Sequence, residues 1–263
     1  MAEAHIIDVH AHVRIDAESD HETQVQVEHT LRKMDLNGID AVVLSPHPSY
    51  ETPLGTQSTR HQNTSVRSIL DRWPDRFPWG LGVAEPRHGD RAAAEATIAV
   101  QDLGLSGLIF DHDVAGLPID GDAMRPILDA LRAPHPRIVA VATYAYGVLR
   151  SPFRLVRMAR AYPELSFINM GAFQDITHES ASIDMAEQLP NVYFSLSLAK
   201  TQLFTVEKAV AAAGADRVLF GSGLHDVEVS HHLEMVKIAN ISPEERAAVL
   251  GGAAAQLFGG QSL

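Results

Sequence analysis

Eight short runs rich in β-branched and other apolar residues alternate with longer stretches of helical spacing, and this alternation limits the fold more than any motif does. The strand-like runs are His5 to Val13, Ala41 to Ser45, Gly80 to Ala84, Gly107 to Phe110, Ile138 to Thr143, Leu165 to Asn169, Val192 to Leu196 and Val218 to Gly221. Between them, Gln24 to Asn37, Thr64 to Trp73, Arg91 to Leu103, Asp122 to Leu131, Phe153 to Tyr162, Ser180 to Leu189 and Thr205 to Gly214 predict helices. Strand–helix alternation implies a parallel sheet, and eight such units imply a closed eight-stranded (β/α)8 TIM barrel, α/β in class. The 263 residues suit one such barrel, so a single domain over 1–263 is expected. The stretch from Pro46 to Asn63 is poor in apolar residues and reads as a long loop after the second strand, on the face where barrels keep their sites. Ser242 before Pro243-Glu244-Glu245 reads as the capped start of a last helix running towards Leu257.

Composition removes several functions. The formal charge is −12, from 21 Lys+Arg against 33 Asp+Glu, which argues against nucleic acid as a partner. With no Cys, disulfides, thiolate ligands and a cysteine nucleophile all drop out. No apolar run approaches the roughly 20 residues that span a bilayer, and the first residues lead directly into a strand, without a basic and apolar leader. The expectation is a cytoplasmic enzyme-sized domain with a small-molecule substrate, no membrane partner, and self-association left open. There is no Gly-x-Ser-x-Gly elbow, phosphate-binding glycine loop or dinucleotide fingerprint, so no organic cofactor is expected.

Chemistry concentrates in the first strand, His5-Ile6-Ile7-Asp8-Val9-His10-Ala11-His12-Val13. Period-two alternation puts Asp8, His10 and His12 on one face and Ile7, Val9, Ala11 and Val13 on the other. Two imidazoles so spaced can converge on one metal ion, with Asp8 as a hydrogen-bonded partner below. This Asp-x-His-x-His string resembles the first strand of the amidohydrolase superfamily, whose barrels bind a divalent metal there. Asn63 followed by Trp73-Pro74-Asp75-Arg76-Phe77, Gly104-Leu105-Ser106-Gly107-Leu108, Tyr162-Pro163-Glu164-Leu165, Asn169-Met170-Gly171 and Asp216-Arg217-Val218-Leu219-Phe220-Gly221-Ser222 are similar, in order and spacing, to the amidohydrolase-related subgroup. That subgroup includes aminocarboxymuconate-semialdehyde decarboxylase and other nonoxidative decarboxylases. The resemblance covers nearly the whole chain.

It implies a divalent metal, zinc or manganese, but the chain departs from the subgroup where further ligands would stand. The subgroup's strand-five His is missing from Ile138 to Gly147, where Thr143 or Tyr144 stands near its place, and His135 precedes the strand, at the wrong end. Asn169 takes the place of the strand-six His, and Gly223 that of the strand-eight Asp that serves as ligand and base; the Asn-Ala pair opening the last helix has become Gly252-Ala253. Two imidazoles alone make a weak, open site. An altered or lost centre is therefore expected, with His10 and His12 as its remaining anchors.

Substitutes are at hand. His225 lies two residues past Gly223, about 6–7 Å along an extended chain. Asp111, His112 and Asp113 end the fourth strand, His47 follows the second and Glu85 the third. The site residues expected are His10, His12, Asp111 and His225 for catalysis, His10, His12 and His225 for any metal, and Tyr144, Asn169 and Ser195 for substrate. Tyr146 and Ser197 stand beside them. His231-His232 reads as a solvated pair on a helix, and Arg150, Arg154, Arg157 and Arg160 as a solvated helical face, one of which could hold a carboxylate. Without the strand-eight carboxylate, a water nucleophile lacks its base. Lyase or decarboxylase chemistry by proton transfer from His10 or His12 therefore stands ahead of metal-dependent hydrolysis with substituted ligands. A non-catalytic barrel binding a small ligand or a partner is the third reading.

Overall fold

The computed structural model describes residues 5–15, 20–47, 54–132, 137–143, 147–199, 204–224 and 228–259. Eight parallel strands follow one another in sequence order: β1 (Ile7–Val13), β2 (Ala41–Pro46), β3 (Trp79–Gly82), β4 (Gly107–Phe110), β5 (Ile138–Val141), β6 (Ser166–Asn169), β7 (Val192–Ser195) and β8 (Val218–Leu219). β8 meets β1 through two bonds: the Val9 amide donates to the Phe220 carbonyl at 3.0 Å, and the Leu224 amide to the His10 carbonyl at 3.3 Å. The interleaved helices are α1 (Asp20–Asn37), α2 (Thr56–Arg72), α3 (Asp90–Thr97), α4 (His112–Ala115), α5 (Arg125–Ala130), α6 (Pro152–Ala161), α7 (Ile176–Gln188), α8 (Thr205–Ala213), α9 (Val229–Ile238), α10 (Pro243–Ala247) and α11 (Ala253–Gly259). This is the (β/α)8 barrel expected. No helix of the described residues is long and apolar enough to cross a membrane.

Closure divides the apolar residues in two. The inner cluster holds Val43, Leu81, Ile109, Ala140, Ile168 and Leu219 from alternate strand positions, and α11 plugs its lower end, with Phe258 5.8 Å from Trp79. The outer cluster joins the other strand positions, Leu44, Leu108, Val139 and Phe194 among them, to the helices. Burying both faces explains why the strands read as continuous apolar runs.

Two expectations change. The stretch before Asn63 is helical from Thr56. Its polar residues concealed this, because Thr59, Gln62 and Asn63 are buried and two of them bond to backbone. Gln62 donates to the Ile15 carbonyl, while the Asn63 amide both donates to the Val83 carbonyl and accepts from its N–H. The last helix carries the capping box of Ser242 and Glu245 but is interrupted by a π-turn, Ala248–Gly252. The Val249 carbonyl there accepts the amide of Phe220, the residue after β8, at 2.9 Å.

The alternation expected of β1 holds only in part. Asp8 pairs with Val42 and Ala11 with Leu44, so Val9 and His10 together oppose Val43, a β-bulge. Ile7 and Val9 therefore join the inner cluster, whereas Ala11 and Val13 join the outer one. Asp8 shares its side with the outer residue Val42, not with His12, which pairs with Ser45 on the inner side. The bulge is held by Asp8. Its Oδ1 accepts the amides of His10 (2.9 Å) and Ser222 (3.0 Å), and its Oδ2 accepts the Ser222 hydroxyl at 2.5 Å. Ser222→Ala is expected to cost about 1–3 kcal/mol, the price of a buried carboxyl left short of a donor. Faster hydrogen exchange at the Val9 and Leu224 amides would locate the loss at the β8–β1 seam, and unchanged exchange there would show that Asp8 does not hold it.

Burial sets the protonation of several groups. It pushes the Asp8 carboxyl up to about 6, against the opposing hydrogen bonds from Ser222 and His10. It depresses His10 to about 3, and His112 and His232 each to about 4. The imidazoles fold neutral, so their stabilisation is full above about pH 6.5 and is lost as pH falls towards their folded values. Asp8 runs the other way, its contribution being full below about pH 4 and lost as pH rises through 6. Three imidazoles against one carboxyl leave a net of about two protons, so urea melts should show stability falling by roughly 3 kcal/mol per unit between pH 6 and 5. His232→Leu should flatten that slope, and a slope unaffected by it would contradict the burial of the neutral ring.

Candidate active site

His10 and His12 stand at the carboxyl-terminal mouth of the barrel. The bulge turns them to the same side, and their Nε2 atoms meet at 2.7 Å with the rings edge to face. Both are buried. His12 Nδ1 lies 2.8 Å from Ser45 Oγ, and that hydroxyl is 3.3 Å from the Ala11 carbonyl. The His47 ring stands 5.8 Å from that of His12, which brings one of the substitute residues to the pair.

β7 and β8 complete the wall beside His10. Ser195 is buried, its hydroxyl donating to Ser197 Oγ at 2.9 Å, and Ser197 donates in turn to the Met170 carbonyl at 2.6 Å. Gly221 lets these groups close up: a Cβ there would fall 2.4 Å from Ser195 Oγ and 3.4 Å from His10 Cβ. On α9 the two neighbouring imidazoles part company. His231 is exposed, but His232 is 2% exposed, and its charge would oppose a charge on His10. The solvated reading of that pair is therefore corrected for His232. A helix that packs one face on the barrel buries one of two adjacent residues.

The other expected residues are placed elsewhere. Asp111 caps α4 and receives the Arg150 guanidinium, whose Nε lies 2.8 Å from its Oδ1 and whose Nη2 bonds its Oδ2, while Asp113 stands 3.4 Å from the same Nε. Arg154 likewise holds Asp120 at 2.6 Å. These arginines tie the start of α6 to the segment after β4, which corrects the solvated reading for Arg150 and Arg154, whereas Arg157 and Arg160 are exposed as expected. His112 is wholly buried beneath them, stacked on Phe110, with Nδ1 2.8 Å from the Leu117 carbonyl. Glu85 caps a short turn and pairs with Arg87. Asn169 has register partners Val141 and Phe194 of the outer cluster; it accepts the Thr143 hydroxyl and donates to Ser182 Oγ of α7 at 3.2 Å. It is not brought to the histidine pair. Tyr144, Tyr146, His135 and His225 lie outside the described residues.

A metal held by both imidazoles at about 2.1 Å in tetrahedral geometry would set their nitrogens about 3.4 Å apart. At 2.7 Å they share a hydrogen bond instead. Among the described residues no group of three His, Cys, Asp or Glu gathers that could hold a metal ion. Thr143 and Asn169 are bonded to each other, and Gly223, at φ +66°, offers no side chain. The described residues do not by themselves make the three-ligand set of a catalytic centre.

An open cleft of about 460 Å³ reaches His12 from the side of α1, and the described residues that line it are His12, Arg14, Val25, Gln26, His29, Arg32 and His47. The sequence reading names neither Arg14, His29, Arg32 nor Ser45. A signal was present: His29 and Arg32 are three apart on one face of α1, and Arg14 continues the parity of His12.

Comparison with known proteins bears on the family and the fold. The family model described as Amidohydrolase matches residues 7–260. No curated protein matches the chain. Among solved structures, 5-carboxyvanillate decarboxylase from Sphingomonas paucimobilis is 18% identical with a TM-score of 0.77, over 97% of this chain and 99% of that one. 2,6-Dihydroxybenzoate decarboxylase from Rhizobium is 18% identical at a TM-score of 0.74, over 98% and 99%. A dihydroxybenzoic acid decarboxylase from Polaromonas sp. JS666, solved with manganese and the inhibitor 2-nitroresorcinol, is 19% identical at 0.75, over 98% and 97%. At such identity the likeness is one of fold. The match of the family model over all eight strands settles the kinship: the chain belongs to the amidohydrolase family.

Proposed function

We propose that this barrel is a non-hydrolytic lyase that removes a carboxylate from a small organic acid by protonating the carbon that bears it. The observation that carries the reading is the contact between the two Nε2 atoms, with His10 buried behind and His12 lining the cleft. The acids named for the similar solved structures make an aromatic acid the first substrate class to test. The carboxylate that a water-activating reaction needs from strand eight is replaced by Gly223, which favours proton transfer over hydrolysis.

In this reading the hydrogen of the Ser45 hydroxyl goes to the Ala11 carbonyl, and His12 donates Nδ1–H to Ser45 Oγ. That leaves His12 Nε2 as acceptor of Nε2–H from His10. His10, held neutral by burial, is the positioning residue. His12 parts from the His10 N–H, takes a proton from the cleft at Nε2 and becomes an imidazolium. As substrate enters, the imidazolium gives that proton to the carboxylate-bearing carbon. The carbon–carbon bond breaks, its electron pair forms the new C–H bond, carbon dioxide leaves, and His12 returns neutral.

Incubation with 2,6-dihydroxybenzoate and with 5-carboxyvanillate in D2O tests this. One deuterium is expected at the carbon that loses its carboxylate, with carbon dioxide released in equal amount. His12→Ala should lower turnover by roughly 10²-fold or more, while His10→Asn should lower it less and move its pH profile. Failure to release carbon dioxide from any of a panel of aromatic acids would overturn the proposal. So would full activity in His12→Ala.

A further inference from the structure

The proton that His12 delivers has to come from solvent at every turnover, yet the His12 residue is only 3% exposed. His47 is its half-buried neighbour in the same cleft. The two rings stand 5.8 Å apart between centroids and are inclined at 71°. The backbone mounts His47 there. Ser45 and Pro46 pair with His12 and Val13 of β1, and the His47 amide continues that ladder by donating to the Val13 carbonyl at 2.9 Å. Ser45 and His47 are two residues apart, so an extended chain turns both to one side. The hydroxyl meets His12 at Nδ1, and the second imidazole meets the ring from the next position up. His47 also lies between two prolines in the sequence, Pro46 and Pro48. The first fixes its own φ, and the second disfavours helical backbone at the residue before it, which leaves His47 little freedom to swing away.

We infer that His47 is the proton relay of this site, passing a proton from solvent to His12 Nε2. The inference rests on the decarboxylation proposed above and names the group that feeds it. His47 in its imidazolium form gives one N–H proton to His12, directly or through one water, and returns neutral. His12 passes that proton to the carbon whose bond to the carboxylate breaks, carbon dioxide leaves, and solvent returns one proton to His47. One proton is consumed for each carbon dioxide released, and no oxidant or second substrate enters. Imidazole loads and unloads a proton near neutral pH, whereas the guanidinium groups of Arg14 and Arg32 in the same cleft keep theirs.

Decarboxylation of 2,6-dihydroxybenzoate and 5-carboxyvanillate by H47A and H47Q, with and without added imidazole, tests the relay. In both variants kcat should fall about tenfold or more with KM little changed. Imidazole should restore kcat in H47A, more strongly at the lower pH where it carries its proton. A ring that only packed against His12 would leave a loss that imidazole does not repair. H47Q, which keeps a polar side chain of similar reach, decides the matter where H47A does not fold. Carbon-13 relaxation dispersion at His12 Cε1, near the midpoint of its titration, reads the rate at which that ring gains and loses a proton without requiring turnover. This rate should also fall about tenfold or more in both variants and recover in H47A with imidazole. Undiminished kcat in both variants, a loss that imidazole leaves unrepaired, or His12 exchange indifferent to His47 would each overturn the relay. Slowed and rescued exchange in a protein that decarboxylates no acid of the panel would keep the relay and overturn the reaction. Decarboxylation with His12 exchange indifferent to His47 would do the reverse.

Discussion

The Asp8 carboxylate is the tie on which the site depends. A closed barrel needs its last strand joined to its first, and β8 is only two residues long, too short for an extended ladder. Asp8 supplies what the ladder lacks by accepting the Ser222 amide and hydroxyl across the seam. The same oxygen that takes the Ser222 amide takes the His10 amide, so joining the strands and forming the bulge are one event. A β1 of unbroken alternation that kept Ile7 inside would send His10 and His12 towards the helices. The bulge lets one strand line the core with Ile7 and Val9 and then the mouth with imidazoles. Desolvation of Asp8 is the cost, visible in its raised pKa.

Around the mouth, buried polar groups are satisfied in chains that run sideways through the wall. Ser195 passes its hydrogen to Ser197 and Ser197 to Met170; Thr143 bonds Asn169, and Asn169 bonds Ser182. Asn169, which stands where the resembling subgroup has a histidine, is thereby used as a structural cross-link. The carboxylates after β4 are spent similarly on Arg150 and Arg154. Among the described residues, those that line the cleft include Arg14 and Arg32.

Much of this was legible in the sequence. All eight strands and the inward turn of His10 and His12 follow from apolar periodicity and from the oddity of polar residues in an apolar strand. Ser195, expected to meet substrate, lies across Gly221 from His10 and gives its hydroxyl hydrogen to Ser197. What escaped depends on pairing between distant segments. A bulge has no sequence signature when the inserted residue is an ordinary valine or histidine, and it moved Asp8 off the face that strict alternation assigned. The first turns of α2 looked like a loop because Gln62 and Asn63 are polar, yet they are buried to bond strand ends. His232 looked like its exposed neighbour because helical phase cannot be fixed from two like residues. Asp111 looked available because its partner Arg150 is 39 residues away.

The π-turn at Ala248–Gly252 bears on the order in which the protein can be made. Its Val249 carbonyl takes the Phe220 amide just after β8, and Gly251 packs so closely on the His5 carbonyl that a Cβ would fall 2.1 Å from it. The backbone at the start of β1 is thus covered by a segment synthesised after all eight strands. A nascent chain that has already exposed β1 to β8 on the ribosome still holds an unlined seam. The first strand, which carries the histidines, precedes in sequence the turn that packs on its start. Closure of the seam therefore waits on a segment that follows every strand, although the groups it encloses come from the first.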